Sequence, residues 1–201
     1  MWKKLAVAGL CMASIAGFTA CGSEDQNKPA PAAAVKTEAK TPSGDGKTLV
    51  VYFSATGNTE KLAQVIGNET KGMLYAITPE KPYTDADLNY MNKESRSSKE
   101  HDDPSIRPAV SGDVDHWDSY STVYLGYPIW WGEAPNIVYT FVENHDFTGK
   151  KVIPFCTSAS SGVRKSADHL KEAARTGDWM GGTRFSGGFN EKDVIDWVRR
   201  Y

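Results

Sequence analysis

The sequence predicts one doubly wound α/β domain of three layers, in which helices cover both faces of a five-stranded parallel sheet. Strand-like and helix-like segments alternate along residues 47–201, and the strand-like segments are almost continuously apolar. Strands of parallel sheets have this composition because helices bury them on both sides. The stretch after residue 46 is also long enough to build one hydrophobic core.

The predicted strands are β-rich apolar runs that end in polar or glycine-containing turns. They cover residues 48–53, 73–77, 122–127, 151–156 and 183–186. Because helices alternate with these strands, the strands are expected to run parallel, with their carboxyl ends at one edge of the sheet. Ligands of such sheets bind at this edge, beside the point where the strand order reverses.

The predicted helices follow from apolar residues at helical spacing. They cover residues 58–66, 135–144 and 163–175, and a last helix begins after Asn190. Gly67 is expected to end the first helix, Pro135 to begin the second and Asn190 to cap the last. A long polar segment, residues 78–119, precedes the third strand, and a helix is predicted within it over residues 85–100.

Residues 1–20 are typical of an export signal, because Lys3 and Lys4 precede an uncharged apolar stretch. That stretch is shorter than the roughly 20 apolar residues of a membrane span. The sequence Phe-Thr-Ala-Cys ending at Cys21 is similar to a bacterial lipobox, although Phe18 stands where Leu is usual. The similarity implies a lipoprotein signal peptide, a lipidated Cys21 and anchoring to a membrane of the bacterial cell envelope. An ordinary signal peptide, or an uncleaved anchor, is the alternative.

Residues 21–46 join this anchor to the domain. They are rich in Ala, Pro, Lys and acidic residues and have almost no large apolar side chains, which predicts a disordered tether. Of the three cysteines only Cys156 lies in the domain, so no disulfide is expected to stabilise it. Loss of Lys3 and Lys4 with the leader changes the formal net charge from −2 to −4. A mildly acidic protein is not expected to bind nucleic acid.

The loop after the first strand, residues 54–59, combines three hydroxyl side chains with one glycine. Backbone N–H groups at a helix start attract anions, and hydroxyl groups add further donors without charge. The loop therefore suits a phosphomonoester. It lacks the Gly-Lys-Ser/Thr ending of a nucleotide-binding P-loop. The alternative is a simple strand-to-helix turn in which a serine or threonine caps the helix.

Residues 51–59, Val-Tyr-Phe-Ser-Ala-Thr-Gly-Asn-Thr, resemble the phosphate loop of the flavodoxins, with its Thr-Gly-Asn-Thr core intact. The resemblance extends over most of residues 47–201 and implies a flavodoxin-like fold with FMN as cofactor. It also implies that four side chains contact the FMN phosphate: Ser54, Thr56, Asn58 and Thr59. Ala55 and Gly57 would contribute backbone amides.

The loop after the third strand contains paired tryptophans, and aromatic faces suit a flat, π-rich ligand. Its run Tyr-Pro-Ile-Trp-Trp-Gly is similar to the flavin-facing loop of one bacterial flavodoxin-like branch. The similarity implies flavin contacts for the whole run, which comprises Tyr127, Pro128, Ile129, Trp130, Trp131 and Gly132. The alternative is that Trp130 and Trp131 are core residues.

The loop after the fourth strand is rich in small hydroxyl residues and suits hydrogen bonding to the polar edge of a flavin. The candidate contacts are Thr157, Ser158, Ala159, Ser160 and Gly162. The alternative is that Ser161 of this loop only caps the helix that follows. Cys156 has no base beside it in the sequence, which favours a small apolar filler over a nucleophile. The four histidines show no metal-ligand spacing.

Three functions remain open from the sequence. The first is electron transfer at the cell envelope by bound FMN, between redox partner proteins. The second is an FMN-dependent oxidoreductase that acts on NAD(P)H or a small quinone. The third is a ligand-binding protein that has lost its flavin, which the intact phosphate loop disfavours. The fold hosts carriers and enzymes alike, so it does not decide between them.

Overall fold

The computed structural model describes residues 48–201, so the predicted signal peptide, Cys21 and the tether lie outside the described residues. The strands are β1 Thr48–Tyr52, β2 Met73–Ala76, β3 Thr78–Pro79, β4 Val110–Ser111, β5 Thr122–Pro128, β6 Lys151–Thr157, β7 Asp178–Trp179 and β8 Thr183–Phe185. The helices are α1 Asn58–Thr70, α2 Arg96–Asp102, α3 Asn136–Glu143, α4 Arg164–Ala174 and α5 Glu191–Val198. Within residues 48–201, no helix is long and apolar enough to cross a membrane.

The main sheet has the order β2-β1-β5-β6, and both β7 and β8 pair with the outer edge of β6. All of these pairs are parallel, and Val50 of β1 lies between Leu74 of β2 and Tyr124 of β5. The predicted five-stranded parallel sheet is therefore confirmed, with two short strands sharing the fifth position. The chain adds β2 on one side of β1 and the later strands on the other side. The switch point of the sheet therefore lies between β1 and β5.

The fifth position is split opposite a proline of β6. A Cβ atom on Gly182 would lie 2.4 Å from the carbonyl oxygen of Pro154, so only glycine allows the two backbones to approach there. Pro154 also has no N–H group to donate to a neighbouring strand. β7 therefore pairs with the start of β6 and β8 with its end. The predicted strand over residues 183–186 corresponds to β8, whereas the two-residue β7 has no sequence signal.

Each face of the sheet has its own core, because successive side chains of a strand point to opposite faces. Leu49 and Val51 of β1 pack into the cluster that contains the apolar face of α3. Val50, the residue between them, packs with α1 and α5. Burial in these cores stabilises the fold. The fully buried side chain of Phe141 in α3, for example, is of a size that contributes about 1.5–3 kcal/mol on burial.

The helix ends follow the expected chemistry with small shifts. α1 runs beyond the predicted stop to Thr70 and ends where Lys71 adopts a left-handed conformation. Pro135 precedes the first residue of α3 instead of being that residue. Asn190 caps α5 as predicted, because its side-chain oxygen accepts a hydrogen bond of 2.8 Å from the backbone N–H of Lys192.

The helix predicted over residues 85–100 is wrong for most of its length, since α2 begins only at Arg96. Side-chain oxygens of Asn89 and Asn92 accept hydrogen bonds from the backbone two residues further on and fold turns there. Such local bonds compete with helix formation. Ser95 then caps α2 by accepting a bond from the backbone N–H of Ser98. The antiparallel pair of β3 and β4, which closes the same segment, was not predicted from the sequence.

Candidate functional site

The three predicted loops meet at the carboxyl edge of β1, β5 and β6. The hydroxyl groups of Thr59 and Thr157 share a buried hydrogen bond of 2.7 Å, which joins the first loop to the third. The backbone N–H of Ile129 donates to the carbonyl oxygen of Thr157 at 3.0 Å and joins the second loop to the third. Sequence-distant loops thus form one continuous surface at the switch point of the sheet.

The first loop ends in a helix start that no side chain caps. Gly57 occupies the N-cap position of α1 with φ of +82°, and no side-chain hydrogen bond is made there. The alternative of a serine or threonine cap is therefore not what the loop adopts. Uncapped helix N-termini present N–H groups and the positive end of the helix dipole to a ligand. The Asn58 side chain lies beside this start and donates to Thr56 Oγ1 at 3.3 Å.

Ser54 carries the clearest sign of a missing partner in this loop. Its Oγ is buried, and it has no hydrogen-bond partner among residues 48–201; the same holds only for Ser97 Oγ within that range. A buried hydroxyl without a partner costs about 1–3 kcal/mol. An anionic oxygen in the loop would accept from it and offset that cost. The residues of the loop therefore fit the phosphate of a flavin mononucleotide.

The second loop is a tight turn built around Trp131 and Gly132. Trp130 and Glu133 exchange two backbone hydrogen bonds of 2.9 Å, and the two residues between them have φ of +48° and +86°. Positive φ at both central positions defines a type I′ turn, which glycine adopts readily and tryptophan rarely does. The conformation leaves Trp131 42 % exposed. Its ring stacks on that of His101, with centroids 4.8 Å apart.

The two tryptophans have different surroundings. Trp130 is partly buried, and its ring meets Phe53 and Tyr83 edge-on at centroid distances of 5.8 and 5.5 Å. The core role considered for both tryptophans therefore applies in part to Trp130 and not to Trp131. Tyr127 lies wholly in the core, where its hydroxyl shares a hydrogen bond of 3.1 Å with Ser166. Burial raises the pKa of the Tyr127 phenol above its usual value.

A cavity of about 360 Å³ connects the first two loops with the long polar segment, and we call it the flavin cavity after the ligand that the sequence predicts. It is lined by Ala55, Thr56, Leu88, Tyr90, Ser97, Pro128, Ile129, Trp130 and Trp131. Apolar and aromatic walls with a few polar groups are typical of sites for flat organic ligands. Neither Tyr127 nor Gly132 lines this cavity. Leu88, Tyr90 and Ser97 were not predicted as site residues from the sequence, although an exposed aromatic such as Tyr90 within a polar segment is a usable signal.

The third loop adjoins this surface through Thr157, while Ala159, Ser160 and Gly162 lie exposed at the same edge. Arg184 of β8 holds the loop, because its Nη1 donates to the carbonyl oxygens of Ser158 and Ala159 at 2.9 and 3.1 Å. This arginine was missed in the sequence, where its strand carried no functional signal. No side chain caps α4, so Ser161 does not have the capping role considered for it.

Cys156 is fully buried at the end of β6. Burial raises the pKa of its thiol to about 12, which suppresses the reactive thiolate at neutral pH. A structural filler role is consistent with this environment. Within residues 48–201, no group of three or more His, Cys, Asp and Glu side chains has an arrangement that could hold a metal ion.

A buried polar network fixes α2 beside the second loop. Tyr83 donates to Glu100 Oε2 at 2.6 Å, and Arg96 Nε donates to Glu100 Oε1 at 2.7 Å. Asn136 of α3 donates from Nδ2 to the backbone oxygen of Glu100 at 2.6 Å. Burial and the bond to the Glu100 carboxylate raise the pKa of the Tyr83 phenol. The network was not predicted from the sequence, and it positions Ser97 in the wall of the flavin cavity.

The family model described as Flavodoxin matches residues 47–201. A solved flavoprotein structure from Bacteroides eggerthii is 44 % identical to the chain, with a TM-score of 0.72, and the match covers 77 % of this chain and 96 % of that one. A second, from Bacteroides uniformis, is 42 % identical with a TM-score of 0.73, covering 78 % and 99 %. A flavoprotein from Lactobacillus acidophilus, solved in complex with FMN, shares the fold at 23 % identity and a TM-score of 0.59, covering 77 % and 99 %. Among functionally curated proteins no relative matches significantly. The match to the family model shows that this chain belongs to the flavodoxin family.

Proposed function

We propose that the chain binds FMN at the junction of its three loops and transfers electrons through it at the cell envelope. One observation carries the proposal: donors without partners and an aromatic-walled cavity occur side by side at the same edge of the sheet. A phosphate needs the former and a flavin ring needs the latter. The Lactobacillus relative solved with FMN supports the same cofactor.

The residues of the site divide into two groups. Hydroxyl and amide groups of residues 54–59 would hold the phosphate without any cationic side chain, as a neutral donor cradle. Pro128, Ile129 and the two tryptophans would cover the isoalloxazine ring and keep water from it. The flavin, when bound, supplies the chemistry of accepting and donating electrons, and the backbone groups held by Arg184 would contact its polar edge.

A Ser54→Ala variant tests FMN binding in a way that separates function from stability. Removal of a hydroxyl bound to a phosphate should weaken FMN binding by about tenfold or more, measured by equilibrium dialysis with the protein lacking residues 1–20. The free energy of unfolding without FMN should stay constant or rise, because the variant removes a buried hydroxyl that has no partner.

Ser119→Ala is the matched control, since Ser119 is an exposed serine before the start of β5, at the opposite edge of the sheet. It should leave FMN binding unchanged. A native protein that stays colourless and takes up no added FMN would refute the proposed function. Equal FMN affinity for the native chain and the Ser54→Ala variant would place the phosphate outside this loop.

We further propose that Cys21 carries the lipid that holds the domain at the membrane. The support is the sequence alone: a basic start, an apolar stretch and the Phe-Thr-Ala-Cys ending. Cys21→Ser should abolish incorporation of labelled fatty acid in the producing bacterium and release the protein from the membrane fraction. Cys11→Ser, within the same leader, is the matched control and should retain both. Label that persists in the Cys21→Ser variant would contradict the anchor.

An oxidoreductase that turns over a small substrate is the second candidate, and one observation favours it over a carrier. A second cavity adjoins the flavin cavity and shares Ser97 and Trp130 with it. A protein that only passes electrons to partner proteins has no need of such a space. Oxidation of NAD(P)H by the FMN-loaded protein, measured with and without added quinone, separates the two. An enzyme gives turnover that saturates with substrate, whereas a carrier gives none without its partners.

A further inference from the structure

The second cavity has a volume of about 410 Å³ and lies between α2, the turn after β5, α3 and α4. It is separate from the phosphate loop, none of whose residues lines it. Trp130 and Ser97 belong to the walls of both cavities, so a ligand here would lie next to a ring bound in the flavin cavity. Its size is within the range of pockets that hold small organic ligands, about 300–1,000 Å³.

The charged side chains around this second cavity already have partners. Glu133 accepts from Lys165 at 2.6 Å and lies 3.1 Å from a ring nitrogen of His169. Arg107 makes two parallel contacts of 2.7 and 2.8 Å with Glu143. Glu100 is bound by Tyr83 and Arg96, as described above. A charged ligand would therefore have to displace an existing pair, whereas a neutral ligand would not.

Two residues that line the cavity, Ser97 and Tyr139, have hydroxyl groups that no described residue binds. Ser97 is 3 % exposed, and its buried Oγ has no partner among the described residues. The Tyr139 hydroxyl makes no hydrogen bond within residues 48–201. Burial raises the pKa of Tyr139 to about 12, so this hydroxyl stays protonated and able to donate at neutral pH. Two such donors, beside the rings of Trp130 and Tyr139, suit a flat ligand that carries acceptor oxygens.

We propose that this second cavity binds the ring of a neutral quinone, with the hydroxyl groups of Ser97 and Tyr139 donating to its carbonyl oxygens. The inference rests on the proposed function, since it names the electron acceptor that the flavin cavity would serve. A nicotinamide dinucleotide fits less well, because its pyrophosphate is negatively charged. Glu100 and Glu133 line the cavity, and Arg107, the cation that lines it, is already paired. Trp130 and Ser97 separate the quinone from the flavin.

The experiment measures binding of menadione, a neutral naphthoquinone, to the protein lacking residues 1–20, by equilibrium dialysis with and without FMN. Tyr139→Phe removes one donor and keeps the ring, and it should weaken menadione binding about three- to tenfold. Ser97→Ala should have an effect of similar size. Tyr75→Phe is the matched control, because Tyr75 is also partly buried and makes no hydrogen bond through its hydroxyl among the described residues, yet it lies outside this cavity. It should leave menadione affinity unchanged.

The outcomes distinguish this inference from the proposed function. Menadione binding that Tyr139→Phe and Ser97→Ala weaken supports the quinone site, whether or not FMN binds. Menadione binding that these two variants change no more than Tyr75→Phe overturns the site, and so does an absence of menadione binding to FMN-loaded protein. FMN affinity is measured in parallel. A native protein that does not bind FMN would refute the proposed function alone. Should Ser97→Ala fail to fold, the effect of Tyr139→Phe alone decides whether the quinone site exists, because Tyr139 is only partly buried.

Discussion

The first two loops at the sheet edge and the long segment of residues 78–119 both line the flavin cavity, but they are built in different ways. In the loops, neighbouring residues present the candidate binding groups directly: hydroxyl groups, a helix start and a tight turn. In the long segment, single side chains such as Ser97 line the cavity because the hydrogen-bond network around Glu100 holds α2 in place. Glu100 joins Arg96 of its own helix to Tyr83, which lies 17 residues earlier, and its backbone oxygen binds Asn136 of α3. The comparison shows that local sequence specifies the candidate binding groups of the loops, while contacts with other parts of the chain place the wall that the long segment contributes.

The strongest test of this comparison is to remove the centre of the network. Glu100→Ala leaves the Tyr83 hydroxyl and the Arg96 guanidinium without their acceptor, so we expect the free energy of unfolding to fall by about 2–3 kcal/mol. Denaturant titration measures this change. Hydrogen exchange should rise within residues 78–111 and stay constant in β1, β5 and β6. An equal increase in exchange throughout the domain would show that the segment and the sheet unfold as one cooperative unit.

A second test breaks the joint between the first and third loops. Thr157→Val keeps the shape of Thr157 but leaves the buried Thr59 hydroxyl without its 2.7 Å partner. We expect a loss of about 1–2 kcal/mol in the free energy of unfolding and weaker FMN binding, measured by denaturant titration and dialysis. Thr148→Ala, in an exposed turn at the opposite edge, should change neither quantity appreciably. Unchanged FMN binding in Thr157→Val would show that the loops act independently.

The smallest expected effect concerns the turn at Trp131. Asn is favoured before Gly in a type I′ turn, so Trp131→Asn should relieve backbone strain of about 1 kcal/mol. Loss of the stack on His101 offsets part of this gain, which leaves a stabilisation of about 0.5 kcal/mol. FMN affinity should fall in the same variant, because an aromatic face is lost. Trp131→Phe should retain most of the affinity. A destabilised Trp131→Asn variant would show that the turn is not strained.

The sequence was most informative where structure follows from local chemistry. Alternating apolar runs predicted the sheet, and the Thr-Gly-Asn-Thr core predicted the loop that contains Ser54. It was least informative where a single contact between distant residues decides the structure. Arg184 holds the third loop from another strand, and Asn136 ties α2 to α3, yet neither lies in a local pattern. The wrong helix over residues 85–100 has a different, local cause, because bonds from the backbone to the side chains of Asn89 and Asn92 outweighed a weak helical pattern.

The broken fifth position of the sheet has a consequence for how the protein meets other proteins. A long exposed edge strand presents a row of unpaired N–H and C=O groups that another chain can extend into a shared sheet. Here β7 and β8 offer only two and three residues in register, separated by the close approach of Gly182 to Pro154. Another strand can therefore find only short stretches to pair with on this side. The interruption leaves little of this edge available for edge-to-edge aggregation.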